Sequence, residues 1–248
     1  MKVIFHKDFY QSYTSDPAAE EGRMEAVVQT IGPHVRFIDA QSASADDIAA
    51  AHTERHIRHV HDIGLHGIAS LAAGGAIQAA TAGMAEPCFG LIRPPGHHAS
   101  SDSSWGFCYY NNMAIAILHL KKKGVINTAF ILDFDLHYGD GTVNIMGNKE
   151  YVTILNPDRN DRNSYLKEVL NTLERCTADI IGISAGFDNH QQDWGGLLAT
   201  EDYREMGRAV RQAAIRNKGG CFAILEGGYN HRVLGQNVLA LIDGLSEG

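Results

Sequence analysis

The feature that most restricts what this chain can become is a repeated alternation. A short, continuous apolar run is followed, again and again, by a longer stretch with helical periodicity. The candidate strands are residues 2–5, 35–38, 88–92, 128–133, 151–155, 179–184 and 221–225. The candidate helices are residues 20–30, 66–82, 112–123, 163–176, 200–216 and 232–245. Strands that are apolar throughout need cover on both faces, and intervening helices supply it. The pattern therefore predicts an α/β protein with a mostly parallel sheet flanked by helices. The helix from Thr200 opens on Thr-Glu-Asp, read as a cap followed by acids, and Lys121, Lys122 and Lys123 suit the end of the helix closed by Gly124. No linker, repeat or charge block divides the 248 residues, so one domain over 1–248 is the simpler reading.

Open α/β sheets bind ligands beyond the carboxyl ends of their strands. After the run at 88–92 comes RPPGHHAS, with His97 and His98. After 128–133 come Asp135, His137 and Asp140. After 179–184 comes AGFDNHQQDWGG, with Asp188, and after 221–225 comes EGGYN, with Tyr229. Four strand ends are thus expected to deliver imidazoles, carboxylates and a phenol to one rim.

Asp135 and His137, two apart in an extended segment, are expected to face the same way. Asp188 could complete a two-carboxylate, one-imidazole set around a divalent cation, leaving a position for water as catalytic zinc sites do. Zn2+ is the first choice and Fe2+ the second. A lone acid here would be read as a strand-end cap. The whole Asp-x-Asp-x-His set, with Asp140 behind it, would be too costly to bury without a task. His97 and His98 sit in a turn stiffened by Pro94 and Pro95, and Asp133 and Asp140 are close enough in sequence to the proposed ligands to back one histidine each. Tyr229, after two glycines, can donate to a developing oxyanion.

Composition excludes several other roles. The apolar fraction of 44% and charged fraction of 20% are those of an ordinary globular protein, large enough to need no structural metal. A net charge of −8 without a basic stripe argues against a nucleic-acid binder and is compatible with cationic substrates. The four cysteines form no CxxC pair, and Cys88 and Cys221, which open apolar runs, read as reduced, buried thiols. The start, MKVIFHKDFYQSY, has no apolar signal core, and no run approaches the roughly 18 residues of a membrane span. The expectation is a cytoplasmic protein with no membrane partner. His52, His56, His59, His61 and His66 recur at helical spacing and read as an exposed or half-buried face, and His190 as a solvated loop residue.

At this point the sequence resembles the superfamily of histone deacetylases, acetylpolyamine amidohydrolases and acetoin-utilisation proteins. The stretches that carry the likeness are RPPGHHA, GFCYYNNMAIA, DFDLHYGDGT, SAGFDNHQQDWGG and EGGYN, in the family's order. The resemblance implies an arginase/deacetylase-like fold and a metal-dependent deacetylase. It implies Asp135, His137 and Asp188 as metal ligands, and His97 and His98 as a proton-transfer pair backed by Asp133 and Asp140. Tyr229 would polarise the acyl carbonyl. Phe107 would be a wall of the acyl-lysine channel, and the Gly106 carbonyl would accept from the substrate amide. A structural K+ near the backbone of 133–137 is also implied. Substrates would be acetylated lysine peptides or small acylated amines such as acetylpolyamines.

The chain departs from the family after the run at 151–155. A segment with a glycine-rich, aromatic loop is missing there, and Asn156-Pro157 leads almost directly into the next helix. The second aromatic wall of the channel has no evident counterpart, so a shallow, open site is expected. The substrate-gripping aspartate is not identifiable between His61 and Leu71, and Tyr138 stands where many relatives carry a second histidine. A ureohydrolase of similar fold would call for a two-metal set. A non-catalytic metal-binding relative is the remaining alternative.

Overall fold

Along β3 (Cys88–Gly90), β4 (Ala129–Asp133), β6 (Ile180–Ala185) and β7 (Gly220–Leu225) every residue is buried, so these strands must lie between two helical layers. The computed structural model, which describes residues 1–247, builds them into a seven-stranded sheet in the order β2-β1-β3-β7-β6-β4-β5. The other members are β1 (Lys2–Phe5), β2 (Arg36–Asp39) and β5 (Val152–Leu155), and every pairing is parallel. Gly248 lies outside the described residues.

Nine helices are described: α1 (Arg23–Ile31), α2 (Ala45–Ala49), α3 (Glu54–Asp62), α4 (His66–Gly83), α5 (Asn112–Lys122), α6 (Asp140–Met146), α7 (Arg162–Arg175), α8 (Thr200–Asn217) and α9 (His231–Ser246). Six were legible as candidates. The starts of α3, α5 and α7 are capped by the side chains of Thr53, Asn111 and Asp161, each accepting from a backbone amide three residues on. The start of α8 corrects the sequence reading. Thr200 is its first helical residue and bonds Asn237, while Asp202 reaches back to the Ala199 amide at 2.8 Å.

A second correction concerns the segment from Asp133. The strand stops at Asp133, the chain bends through 134–138, and Asp140 begins α6. The histidine-rich stretch also differs from expectation. His52 and His56 are buried, whereas His59 and His61 are exposed on α3. His52 receives the Asn111 amide on Nε2 at 2.9 Å and donates from Nδ1 to the Ser100 carbonyl at 3.0 Å. His190 is buried as well. All four cysteines are free and buried, Cys88 and Cys221 as expected. Among the described residues no helix is long and apolar enough to cross a membrane.

Candidate active site

The four central strands β3, β7, β6 and β4 are neighbours, and their carboxyl ends converge the expected side chains. The turn after β3 is held from three directions. Arg93, fully buried, donates to the carbonyls of Gln11, Ala18 and Glu20. Asn112 donates to the Pro94 carbonyl at 3.0 Å. Glu226 accepts from the Gly96 and His97 amides at 2.6 and 3.2 Å. His97 and His98 therefore enter the site from a fixed backbone, with ring centroids 4.0 Å apart.

Each imidazole has its carboxylate. His97 Nδ1 lies 3.2 Å from Asp133 Oδ2, and His98 Nδ1 lies 2.7 Å from Asp140 Oδ1. The two histidines are nonetheless unlike. Burial alone would lower His97, but Asp135 and Asp133 raise its pKa well above the ordinary value. Burial lowers His98, and the neighbouring His97 lowers it further, to about 4. One ring favours its proton and the other is neutral, poised to accept one.

Asp135, His137 and Asp188 converge so that one ligand atom of each lies within 4.8 Å of the others. His137 Nδ1 is 3.3 Å from Asp135 Oδ1 and 3.1 Å from Asp188 Oδ2. Ligands about 2.0–2.2 Å from a tetrahedral ion sit about 3.3 Å apart, so this spacing fits one small cation. Asp188 Oδ2 is buried and, despite its closeness to His137, has no hydrogen bond of acceptable geometry. Its partner oxygen accepts the Leu136 amide at 3.0 Å. Burial and then Asp135 push the Asp188 carboxyl up to about 7, while Asp135 and Asp188 push His137 up to about 10. Burial opposes ionisation of Asp135, but His97, His137 and the Gly227 amide hold it below the carboxylate range. This is a pocket of surplus negative charge, and a divalent ion would keep Asp188 ionised and His137 neutral. A Cβ at Gly227 would sit 2.6 Å from Asp135 Oδ2 and 2.8 Å from Asp188 Oδ2, so only glycine lets the turn after β7 close over these carboxylates.

Tyr229 follows that turn. Its amide and that of Asn230 both donate to Asp193 Oδ2 at 2.8 Å, and burial raises its phenol, which keeps the proton to donate. Phe107 meets the Tyr229 ring edge-on at 6.0 Å. Gly106 and Phe107 both take left-handed backbone, at φ 58° and 69°, and a side chain at Gly106 would run into His98. For phenylalanine that conformation costs about 1–3 kcal/mol, a strain spent on aiming a ring into the cavity.

The cavity measures about 110 Å3 and is lined by Pro95, His97, His98, Trp105, Gly106, Phe107, His137, Trp194, Gly227 and Tyr229. Asp133 and Asp140 stand behind their histidines, and Asp135 and Asp188 lie against His137, so the residues proposed for catalysis, substrate and metal gather at one site. The structure adds supporting groups beyond the residues proposed for the site. Arg23, fully buried on α1, donates to the Gly228 and Glu226 carbonyls at 2.8 and 2.7 Å and lies over the Tyr229 ring at 5.5 Å. Glu226, pushed up to about 7 by burial, steadies the histidine turn. Trp105 and Trp194 supply an aromatic rim to the cavity from two other loops.

Comparison with known proteins decides the family. The histone deacetylase domain matches residues 62–165 and 155–245. The chain belongs to the histone deacetylase family. A probable deacetylase of Methanothermobacter thermautotrophicus is 29% identical, over 98% of this chain and 90% of its own. A histone deacetylase-like amidohydrolase of Pseudomonas aeruginosa is 30% identical over 74% of this chain and 59% of its own. The fold matches the crystal structure of the HDA15 HD domain with a TM-score of 0.85 at 23% identity, covering 99% of this chain and 89% of that one. The family match breaks and restarts at 155–165, just past β5, where the missing segment was expected. The alignment with the archaeal relative runs over 302 positions against the 248 residues here, in keeping with trimmed loops.

Proposed function

We propose that this chain is a metal-dependent amidohydrolase that removes an acetyl group, or another short acyl group, from acylated lysine or a related amine. The observation that carries the reading is the buried, unpartnered Asp188 Oδ2 beside Asp135 and His137, within reach of an inequivalent histidine pair and a protonated phenol. Asp135, His137 and Asp188 would hold the ion, zinc first and Fe2+ second. When bound, such an ion polarises an acyl oxygen and lowers the pKa of water from about 16 toward 7.

The chain's own groups do the rest. His98, neutral and aligned by Asp140, accepts the proton of the attacking water. Tyr229 donates its hydroxyl to the oxygen on which negative charge develops. His97, charged between Asp133 and Asp135, stabilises that same charge, and the protonated His98 returns its proton to the departing amine. Phe107 walls the acyl group, and the Gly106 carbonyl is offered to the substrate N–H. The negative net charge favours an amine product and a cationic substrate, so acetylated polyamines are the second substrate reading.

The test is turnover of a fluorogenic acetyl-lysine peptide beside acetylputrescine. Activity should vanish on chelation and return with zinc. A protein that binds zinc stoichiometrically but cleaves neither substrate would instead be a non-catalytic relative.

A further inference from the structure

The chain has two tryptophans, and both line the one cavity that holds the proposed chemistry. Each is more than half exposed, 56% for Trp105 and 53% for Trp194, so burial does not account for their placement. Each lies flat on a different reacting side chain. Trp105 stacks on His98 at 3.8 Å and 29°, and its indole N–H donates to Asp140 Oδ2 at 2.9 Å, the oxygen that His98 leaves free. Trp194 stacks on Tyr229 at 4.0 Å and 23°, and meets His137 edge-on at 6.1 Å. Its backbone is fixed by Asp193, which accepts the Trp194 amide at 2.8 Å on one oxygen and the Tyr229 and Asn230 amides on the other. The turn through Gly106 and Phe107, closed by the Cys108 amide on the Trp105 carbonyl at 3.0 Å, pins the first indole.

We propose that Trp105 and Trp194 are positioning residues, one bracketing the His98–Asp140 pair and the other the Tyr229 phenol. They do the work of a wall that the trimmed segment after β5 cannot supply. This rests on the reaction proposed above. The two brackets hold by different means. Trp105 acts through a ring face and a hydrogen bond, whereas Trp194 acts through its ring face alone.

The asymmetry makes the test. The metal-loaded protein is compared with Trp105→Phe, Trp105→Leu, Trp194→Phe and Trp194→Leu, reading kcat and KM separately with the acetyl-lysine peptide. Both leucine variants should lose about 10- to 100-fold in kcat, as small misplacements of reacting groups do, with KM changed less than about threefold. Trp194→Phe should restore kcat to within about threefold of the parent. Trp105→Phe should not, because its ring keeps the stack but lacks the N–H. In proton NMR, the downfield resonance of the His98 ring proton should shift in Trp105→Phe and stay put in Trp194→Phe. The Tyr229 ring protons should lose their upfield shift in Trp194→Leu. Leucine variants with unchanged kcat, an effect confined to KM, or a Trp105→Phe that matches the parent would each overturn the proposal. If the parent itself turns over no acylated amine, the reaction is wrong. The resonances then decide the brackets on their own, an unshifted His98 proton in Trp105→Phe counting against them.

Discussion

His97 and His98 are adjacent in sequence and nearly in van der Waals contact, yet their environments separate them. His97 is enclosed by two carboxylates, while His98 faces one carboxylate and a cationic neighbour. A base must be neutral to act, so activity should fall as pH drops through the His98 pKa and not before. The acid limb of kcat/KM is expected below the ordinary imidazole value of about 6.5. A limb centred at or above 6.5 would assign the base elsewhere. Tyr229→Phe keeps the stack with Trp194 and removes the donor, and should cost about 10²–10³ in kcat with KM little changed. Asp188→Ala should abolish stoichiometric metal, measured by elemental analysis, because the remaining pair cannot hold an ion. The proposed ligand set and the acids behind the histidines were readable because they fall in short, unusual motifs. The contacts made by Trp105, Trp194, Arg23 and Glu226 were not, since they join distant segments and follow no spacing, even though Trp194 and Glu226 lie inside recognisable stretches.

At the scale of elements, the strands and long helices were legible from periodicity, and the errors fell on short pieces. In α6 the first residue is Asp140, so the polar motif proposed for the site and a helix start overlap, and the motif hid the helix. In α3 polar histidines dominate, and the buried face reduces to His56 and Val60, too few to stand out. The turn after β7 is tightly packed. Gly227→Ala should fold yet lose metal affinity, since its methyl group would press on the carboxylates of Asp135 and Asp188, both proposed ligands. Calorimetric titration with zinc checks this, and unchanged affinity would refute it. His52 offers a stability test. Burial and then His56 lower its pKa to about 3, below the unfolded value near 6.5. Between those values the unfolded chain takes up a proton that the folded one refuses. Stability should therefore fall as pH drops through 6.5, by at most about 1.4 kcal/mol per pH unit from this group. Urea midpoints at pH 7.5 and 5.0 should differ less in His52→Gln, which retains a donor and an acceptor.

For the whole molecule, the proposed ion-binding cluster of Asp135, His137 and Asp188 ties the segments after β4 and β6 to the turn after β7 across the middle of the sheet. An ion held only by the folded state adds stability of about 2.7 kcal/mol at a free concentration near 100 times its Kd. For a chain of this size that is about 5–10 °C in Tm, which scanning calorimetry with and without chelator should show. No shift would mean that the cluster holds no ion. A last consequence attaches to Arg23. The recognisable family stretch begins at residue 62, which invites the belief that the first sixty residues are ornamental. Yet Arg23 reaches across more than two hundred positions to grip the carbonyls that flank the phenol's turn. An engineer who trimmed the protein to its recognisable span would keep all three proposed ligands and both histidines, and would discard the brace beneath the tyrosine.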